Sequence, residues 1–184
     1  ADNILLGSVE HGAYKENAFT VRHNGFGKIN LALFQGDKQF LNEVASMFPD
    51  TFPATIQNNY YEMLVNKLIA NAVINPLTAI LQVENGELIK NPYYFNTFKN
   101  LFLEIAFILN LKNPDSYLQK VISICQNTAN NRSSMLKDIE GGRRTEVDAI
   151  LGFLLEEAEN QAKNAPLIAS FNHLVKGKEM ERGE

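Results

Sequence analysis

Between Tyr60 and Val83 the chain is apolar on nearly every side, with Leu64, Val65, Leu68, Ile69, Val73, Ile74, Leu77, Ile80 and Leu81 leaving no wide polar stripe. A helix of that kind must be enclosed by other elements, so this one segment demands a helical domain packed around it. One thin polar line interrupts the pattern. Lys67, Asn71, Asn75, Thr78 and Gln82 step by four, four, three and four, and so follow one face. Pro76 has no N–H, which frees the Ala72 carbonyl and predicts a kink near Asn75.

Buried polar groups are costly unless partnered, so the line must meet other polar groups, water or a ligand. Asparagine accounts for 22 of the 184 residues, so spacing alone leaves two readings open. One is a wall of a ligand-lined cleft; the other is the partly exposed edge of an amphipathic helix. In the first reading, partial burial lowers the pKa of the Lys67 ammonium, which can then protonate a carbonyl oxygen as it becomes an alkoxide. Asparagine amides can hold hydroxyls and carboxylates without adding charge. That is the chemistry of a carbonyl-reducing or aldol-type site.

Composition narrows the class. With 45% hydrophobic and 21% charged residues, the chain reads as an ordinary soluble protein, long enough for one good-sized domain or a small domain joined to part of another. A net charge of -4 argues against a nucleic-acid partner, which calls for a basic surface. The longest apolar run noted, Leu101 to Leu111, is interrupted by Glu104 and Asn110, so no membrane span is expected. Cys125, in the run Val121 to Cys125, reads as core packing; a single cysteine forms no internal disulfide and points to the cytoplasm. No metal is expected. Ala1-Asp2-Asn3 lacks the plan of a signal peptide. The chain has no initiator methionine and enters a strand at once, which predicts a fragment that begins mid-fold.

The expected fold class is α+β, with a small sheet over residues 1–58 followed by an all-helical domain over 59–184. Ile4 to Val9, Ala18 to His23 and Ile29 to Phe34 read as strands separated by glycine-bearing turns. Gly36-Asp37 opens a helix that ends before Pro49, and Thr51 to Gln57 is a further candidate strand. Helices follow over Tyr60 to Val83 and Pro92 to Leu111. A long third one carries the stripe Leu118, Val121, Ile122, Cys125, Ala129, Met135, Leu136 and Ile139 down to Gly141-Gly142. A fourth starts at Thr145 with Asp148 as a loose capping box, and a fifth follows Pro166 with a charged, solvated tail from Lys176 to Glu184. Gly25-Phe26-Gly27 begins like a dinucleotide fingerprint. Its third glycine is absent and a strand follows, so it predicts a β-turn.

A second polar cluster lies near the end of the third helix, where Asn131 and Ser134 share a face opposite the apolar stripe. Glu146 falls in the first turn of the next helix. Each residue also has an ordinary explanation, since acids favour helix N-termini and serines are often solvated.

Three stretches, taken in order, closely resemble ketopantoate reductases (2-dehydropantoate 2-reductases). They are Lys67-x3-Asn71-x3-Asn75-Pro76-Leu77-Thr78-Ala79, then Asn85-Gly86-Glu87-Leu88, then Asn131-x-Ser133-Ser134-Met135-Leu136-x-Asp138 with Gly142-Arg143-x-Thr145-Glu146-x-Asp148. The resemblance extends from about Gly7 to Lys178-Glu179-x-Glu181-Arg182-Gly183. It implies a Rossmann domain that binds NADPH, represented here by its last strands, and a helical domain like the C-terminal domain of 6-phosphogluconate dehydrogenase. It also implies reduction of ketopantoate to pantoate on the route to pantothenate and coenzyme A. By resemblance Lys67 is the general acid, and Asn71, Asn75 and Asn85 hold the substrate. Ser134 contacts its carboxylate side with Asn131 nearby, and Glu146 supports Lys67 and contacts the cofactor end. The His11-Gly12-Ala13 loop passes the nicotinamide side, which makes Ala13 a cofactor contact. The family's main NADPH-binding loop belongs to an N-terminal stretch of roughly 100 residues that this chain lacks, so the chain alone is expected to bind NADPH poorly and turn over little. The small-molecule partner is a 2-keto acid, and a homodimer is compatible with the resemblance. Two alternatives stand beside this reading: a reductase of another branched 2-keto acid, and a non-catalytic helical interaction or dimerisation module.

Overall fold

The computed structural model describes residues 3–181, apart from the side chains of Tyr14 and Asn24. The chain start at Ala1-Asp2 and the end of the predicted tail, Arg182 to Glu184, lie outside the described residues. The chain forms two compact units, Ala1–Lys67 and Leu68–Glu184.

In the first unit, β1 (Ile4–Val9) runs antiparallel to β4 (Ile29–Gln35), and β4 runs parallel to β5 (Ala54–Gln57), giving the order β1-β4-β5. Parallel neighbours need a crossover, and α1 (Lys38–Ser46) supplies it. The Asp37 carboxylate caps α1 by accepting the Gln39 N–H at 2.9 Å. Ile29 to Ala32 are all buried, as befits a central strand covered on both faces. Ile29, Leu31 and Leu41 form the core, with Leu5, Leu33, Val44, Phe48 and Phe52 packed against it.

A separate hairpin, β2 (Gly12–Asn17) with β3 (Thr20–Gly25), replaces the single strand expected over Ala18 to His23. β2 escaped detection because Gly12-Ala13-Tyr14-Lys15-Glu16-Asn17 holds one strong strand former; it is held by cross-strand pairing and by the Asn17 side chain, which accepts the Phe19 N–H at 2.9 Å in the turn. Gly12 and Ala13, expected in a loop, therefore open a strand.

The long helix is α2, Tyr60–Leu81, and the division between the units falls within it. The Asn59 side chain caps it by accepting the Tyr61 and Glu62 N–H groups. It continues through Pro76 and is ended by Gln82 in the left-handed region, φ 55°. Against the expectation that no run is long enough, α2 and not Leu101 to Leu111 is, among the described residues, the helix long and apolar enough to cross a membrane. Most of that stretch is buried, with Ile69, Ala72, Val73, Leu77 and Ala79 fully enclosed, as a core helix requires.

The second unit continues with α3 (Glu87–Lys90), α4 (Pro92–Ile108), α5 (Pro114–Asn127), α6 (Ser134–Glu140), a π-helical turn (Asp148–Gly152), α7 (Phe153–Asn160) and α8 (Pro166–Met180). Phe98, Leu101, Phe102, Ile105 and Ile108 make the buried stripe of α4. On the same helix Glu104 accepts the Leu167 and Ile168 N–H groups at 3.2 and 2.8 Å, capping α8 from outside its own sequence. Glu104→Ala strands both donors and is expected to cost about 1–2 kcal/mol, read as a lower midpoint in denaturant.

The expected third helix is two helices, α5 and α6, broken over 128–133. The apolar stripe hid the break because Val121 and Cys125 on α5, and Met135, Leu136 and Ile139 on α6, are buried in turn. Burial pushes the Cys125 thiol up to about 12, so it is packing and not a nucleophile. The fourth helix also departs from expectation. No capping box forms, because Glu179 of α8 takes the Thr145 N–H at 2.6 Å and Thr145 Oγ1 accepts from Val147. Asp148 instead meets Lys176 at 2.6 Å, and that ammonium, with Arg144, holds the Asp148 carboxyl below the usual carboxylate range.

Candidate active site

Along α2 the polar line changes character. Lys67, the last residue of the first unit, is exposed, and Asn71 is half-buried. Asn75 and Thr78, on the second unit's part of the helix, are 6% and 0% exposed. The partial burial expected of Lys67 is absent: Leu64, three residues before it on the same side of α2, is exposed too.

Thr78 answers the question of what a buried polar line faces. Its hydroxyl lies 2.9 Å from the Ile74 carbonyl, 3.0 Å from the Asn75 carbonyl and 2.7 Å from Ser133 Oγ. Ser133 is the N-cap of α6 and accepts the Leu136 N–H at 3.1 Å. If Ser133 donates to Thr78 and Thr78 donates to the Ile74 carbonyl, both buried hydroxyls are satisfied. The contact ties the second half of α2 to the start of α6. Thr78 lies three residues past Asn75, and Ser133 adjoins Ser134, so two predicted substrate contacts sit beside one buried bond.

A second tie holds Asn85. Its N–H donates to the Asn131 carbonyl at 3.0 Å, and the next N–H, of Gly86, donates to the Ala129 carbonyl at 2.9 Å. The Asn85 side chain, 7% exposed, donates from Nδ2 to Thr128 Oγ1 at 2.9 Å, and Thr128 Oγ1 in turn reaches the Ile124 carbonyl at 2.6 Å. The carboxamide oxygen Oδ1 is buried without a protein partner. Leaving such an acceptor unmade costs about 1–3 kcal/mol, so it marks a place where a donor is wanted.

The remaining predicted residues are placed as follows. Asn131 is exposed in the break between α5 and α6, not on a helix face, and its backbone bonds to Asn85 and Thr128. Ser134 is exposed at the first position of α6, and Glu146 is exposed just before the π-helical turn. Ala13 is exposed on β2. In the second unit the fold thus brings together Asn75, Asn85, Asn131 and the Ser133-Ser134 pair, while no bond joins Glu146 to them among the described residues. Thr128 and Ser133 were missed as site residues. Ser133 carried a legible signal as a serine preceding an apolar run; Thr128 carried none.

Two grooves lie in this unit: one of about 610 Å³ is lined by Leu155, Lys163 and Pro166 among others, and one of about 410 Å³ by Glu84, Gly86, Lys90, Ala129 and Asn130 among others, against the junction that holds Asn85. The first unit's glycine turns do not fit a dinucleotide pyrophosphate. Gly27 leads into β4 and not a helix, and a Cβ there would collide with the Glu10 carbonyl. Gly36 does lead into α1, but the Asp37 carboxylate already occupies that N-terminus.

Comparison with known proteins agrees with the motifs. Residues 59–179 match the family described as "Ketopantoate reductase PanE/ApbA C terminal". The 2-dehydropantoate 2-reductase of Bacillus subtilis is 43% identical over 164 residues, covering 89% of this chain and 55% of that protein. The enzyme of the same name from Listeria monocytogenes is 40% identical over 181 residues, covering 97% and 58%. The crystal structure of the probable B. subtilis 2-dehydropantoate 2-reductase superposes with a TM-score of 0.87 at 41% identity, over 96% of this chain and 61% of that one. The chain therefore spans little more than half the length of the relatives it matches.

Proposed function

The chain belongs to the ketopantoate reductase PanE/ApbA C-terminal family, and on that premise we propose that it supplies the substrate-binding and proton-donating part of an NADPH-dependent 2-dehydropantoate 2-reductase. In this reading residues 1–58 are the last part of a Rossmann domain, and 59–184 form the substrate-binding and dimerisation domain of a cytoplasmic homodimer. The observation that carries it is the buried, unpartnered carboxamide oxygen of Asn85, at a position where the family motif has a substrate-holding amide. Asn172 of α8 also has an unpartnered end, its Nδ2; what sets Asn85 apart is its place in the family motif.

Reduction adds a hydride to the carbonyl carbon and a proton to its oxygen. The nicotinamide would supply the hydride when bound, and in this reading Ala13 and Glu146 are the residues of this chain that would contact the cofactor. The chain's own part is the proton: the Lys67 ammonium gives it to the oxygen as negative charge develops there, and water restores it afterwards. Asn71, Asn75 and Asn85 orient the acid, and Asn131 and Ser134 hold its carboxylate side.

The test is NADPH oxidation by the full-length protein over a panel of branched 2-keto acids. Ketopantoate is expected to have the highest kcat/KM; another branched acid in first place would reassign the substrate, and no turnover with any would leave the interaction-module reading. The 184-residue chain is expected to give little or no ketopantoate-dependent oxidation by itself, because its described glycine turns do not suit the pyrophosphate. A rate near that of the full-length protein would overturn that expectation.

A further inference from the structure

Resting on the reading of Asn85 as a substrate-holding amide, we infer that Thr128 is a positioning residue that fixes which end of the Asn85 carboxamide faces the ligand. It thereby selects a substrate carrying a hydroxyl donor. A threonine hydroxyl has one hydrogen and two acceptor lone pairs. At Thr128 the hydrogen is committed to the Ile124 carbonyl, 2.6 Å away. Toward Asn85 the hydroxyl can then only accept, and Nδ2 is the end that faces it, at 2.9 Å. A flipped amide would set Oδ1 against a lone pair.

The backbone leaves little else to adjust. Asn85 N–H to the Asn131 carbonyl and Gly86 N–H to the Ala129 carbonyl, at 3.0 and 2.9 Å, pin the two segments to each other, and Asn131 N–H to the Thr128 carbonyl, at 2.8 Å, closes the turn that carries Thr128. The amide's rotation is the remaining freedom, and Thr128 removes it. What Asn85 then offers is an acceptor, Oδ1, buried and unpartnered. A carboxylate or a keto oxygen brings no hydrogen to it; a hydroxyl does. The acid recognised here is therefore a hydroxylated 2-keto acid, and an analogue with a methyl in place of that hydroxyl leaves the acceptor unmade.

The experiment is a calorimetric titration of the full-length protein, with NADP⁺ present, using ketopantoate and its counterpart in which the terminal hydroxyl is a methyl group. The natural protein is expected to prefer the hydroxyl compound by about 10–100-fold. Thr128→Val keeps the shape and removes the hydroxyl, and is expected to collapse that preference to within about threefold while binding the methyl compound as before; Thr128→Ser restores it. A merely structural role would weaken both ligands equally and would not be rescued selectively, and that result overturns the inference. If Thr128→Val fails to fold, the natural protein and Thr128→Ser still decide: equal binding of the two acids, or a lost preference in Thr128→Ser, overturns it. Natural protein that binds neither acid removes the 2-keto acid reading itself, and this inference with it.

Discussion

Lys67→Ala is expected to lower kcat for ketopantoate reduction by on the order of 10²–10⁴ while leaving the thermal midpoint nearly unmoved. The two halves of that expectation have separate grounds. Loss of a positioned general acid removes stabilisation of the developing alkoxide, which falls on kcat. Stability is spared because Lys67 is exposed, and exposed substitutions away from caps and networks shift stability by about 0.5 kcal/mol or less. The exposure also changes the argument for the residue. An alkoxide is far more basic than an amine, so an exposed ammonium can protonate it and the chemistry survives without the burial that the sequence suggests. Lys67→Arg should restore charge and much of the substrate affinity but little of kcat, since a guanidinium gives up its proton far less readily. Steady-state kinetics beside a melting curve checks all three points. An unchanged kcat in Lys67→Ala would remove the residue from the acid role.

Much of the fold was legible because it follows from periodicity. The buried helix α2, the crossover helix α1 after Asp37 and the helices begun by Pro92 and Pro166 all stand within a few residues of where the pattern put them. The failures share a cause: the deciding partner lay outside the segment being read. β2 is polar and is held by β3. Thr145 reads as a box with Asp148, yet Glu179, 34 residues on, takes its N–H. The break between α5 and α6 is invisible to an apolar stripe that stays in phase across it, and is held open from outside by Asn85, Gly86 and Thr78. The site shows the same division. Asn75, Asn85, Asn131 and Ser134 could be nominated as candidates from motif and spacing. Thr128 could not, because its importance lies in where one hydroxyl hydrogen goes.

Gly86→Ala tests whether that junction is as tight as its hydrogen bonds imply, and two effects of opposite sign compete in it. Gly86 has φ -63° and ψ -31°, ordinary right-handed values that alanine adopts without strain. Reduced freedom of the unfolded chain would by itself stabilise the variant by about 0.4–1 kcal/mol. Against this, a Cβ at Gly86 would lie 2.8 Å from the Ala129 Cβ and 3.1 Å from both its Cα and its carbonyl oxygen. Two of those three neighbours are backbone, and the same carbonyl accepts the Gly86 N–H at 2.9 Å, so relief requires opening the hydrogen bond that closes the junction. Overpacking of this kind costs about 1–3 kcal/mol, and the clash wins. The variant should be destabilised in urea by the difference between the two, about 1–2 kcal/mol. Ala129→Gly in the same chain removes the 2.8 Å contact but not the two at 3.1 Å, so it should recover part of the loss and not all. Full recovery would mean that the side-chain methyl alone sets the spacing, and a stabilised Gly86→Ala would mean that the two segments are free to move apart. In that case Asn131 and Thr128 could not hold Asn85 in a fixed pose, and its buried acceptor would lose its claim on a ligand.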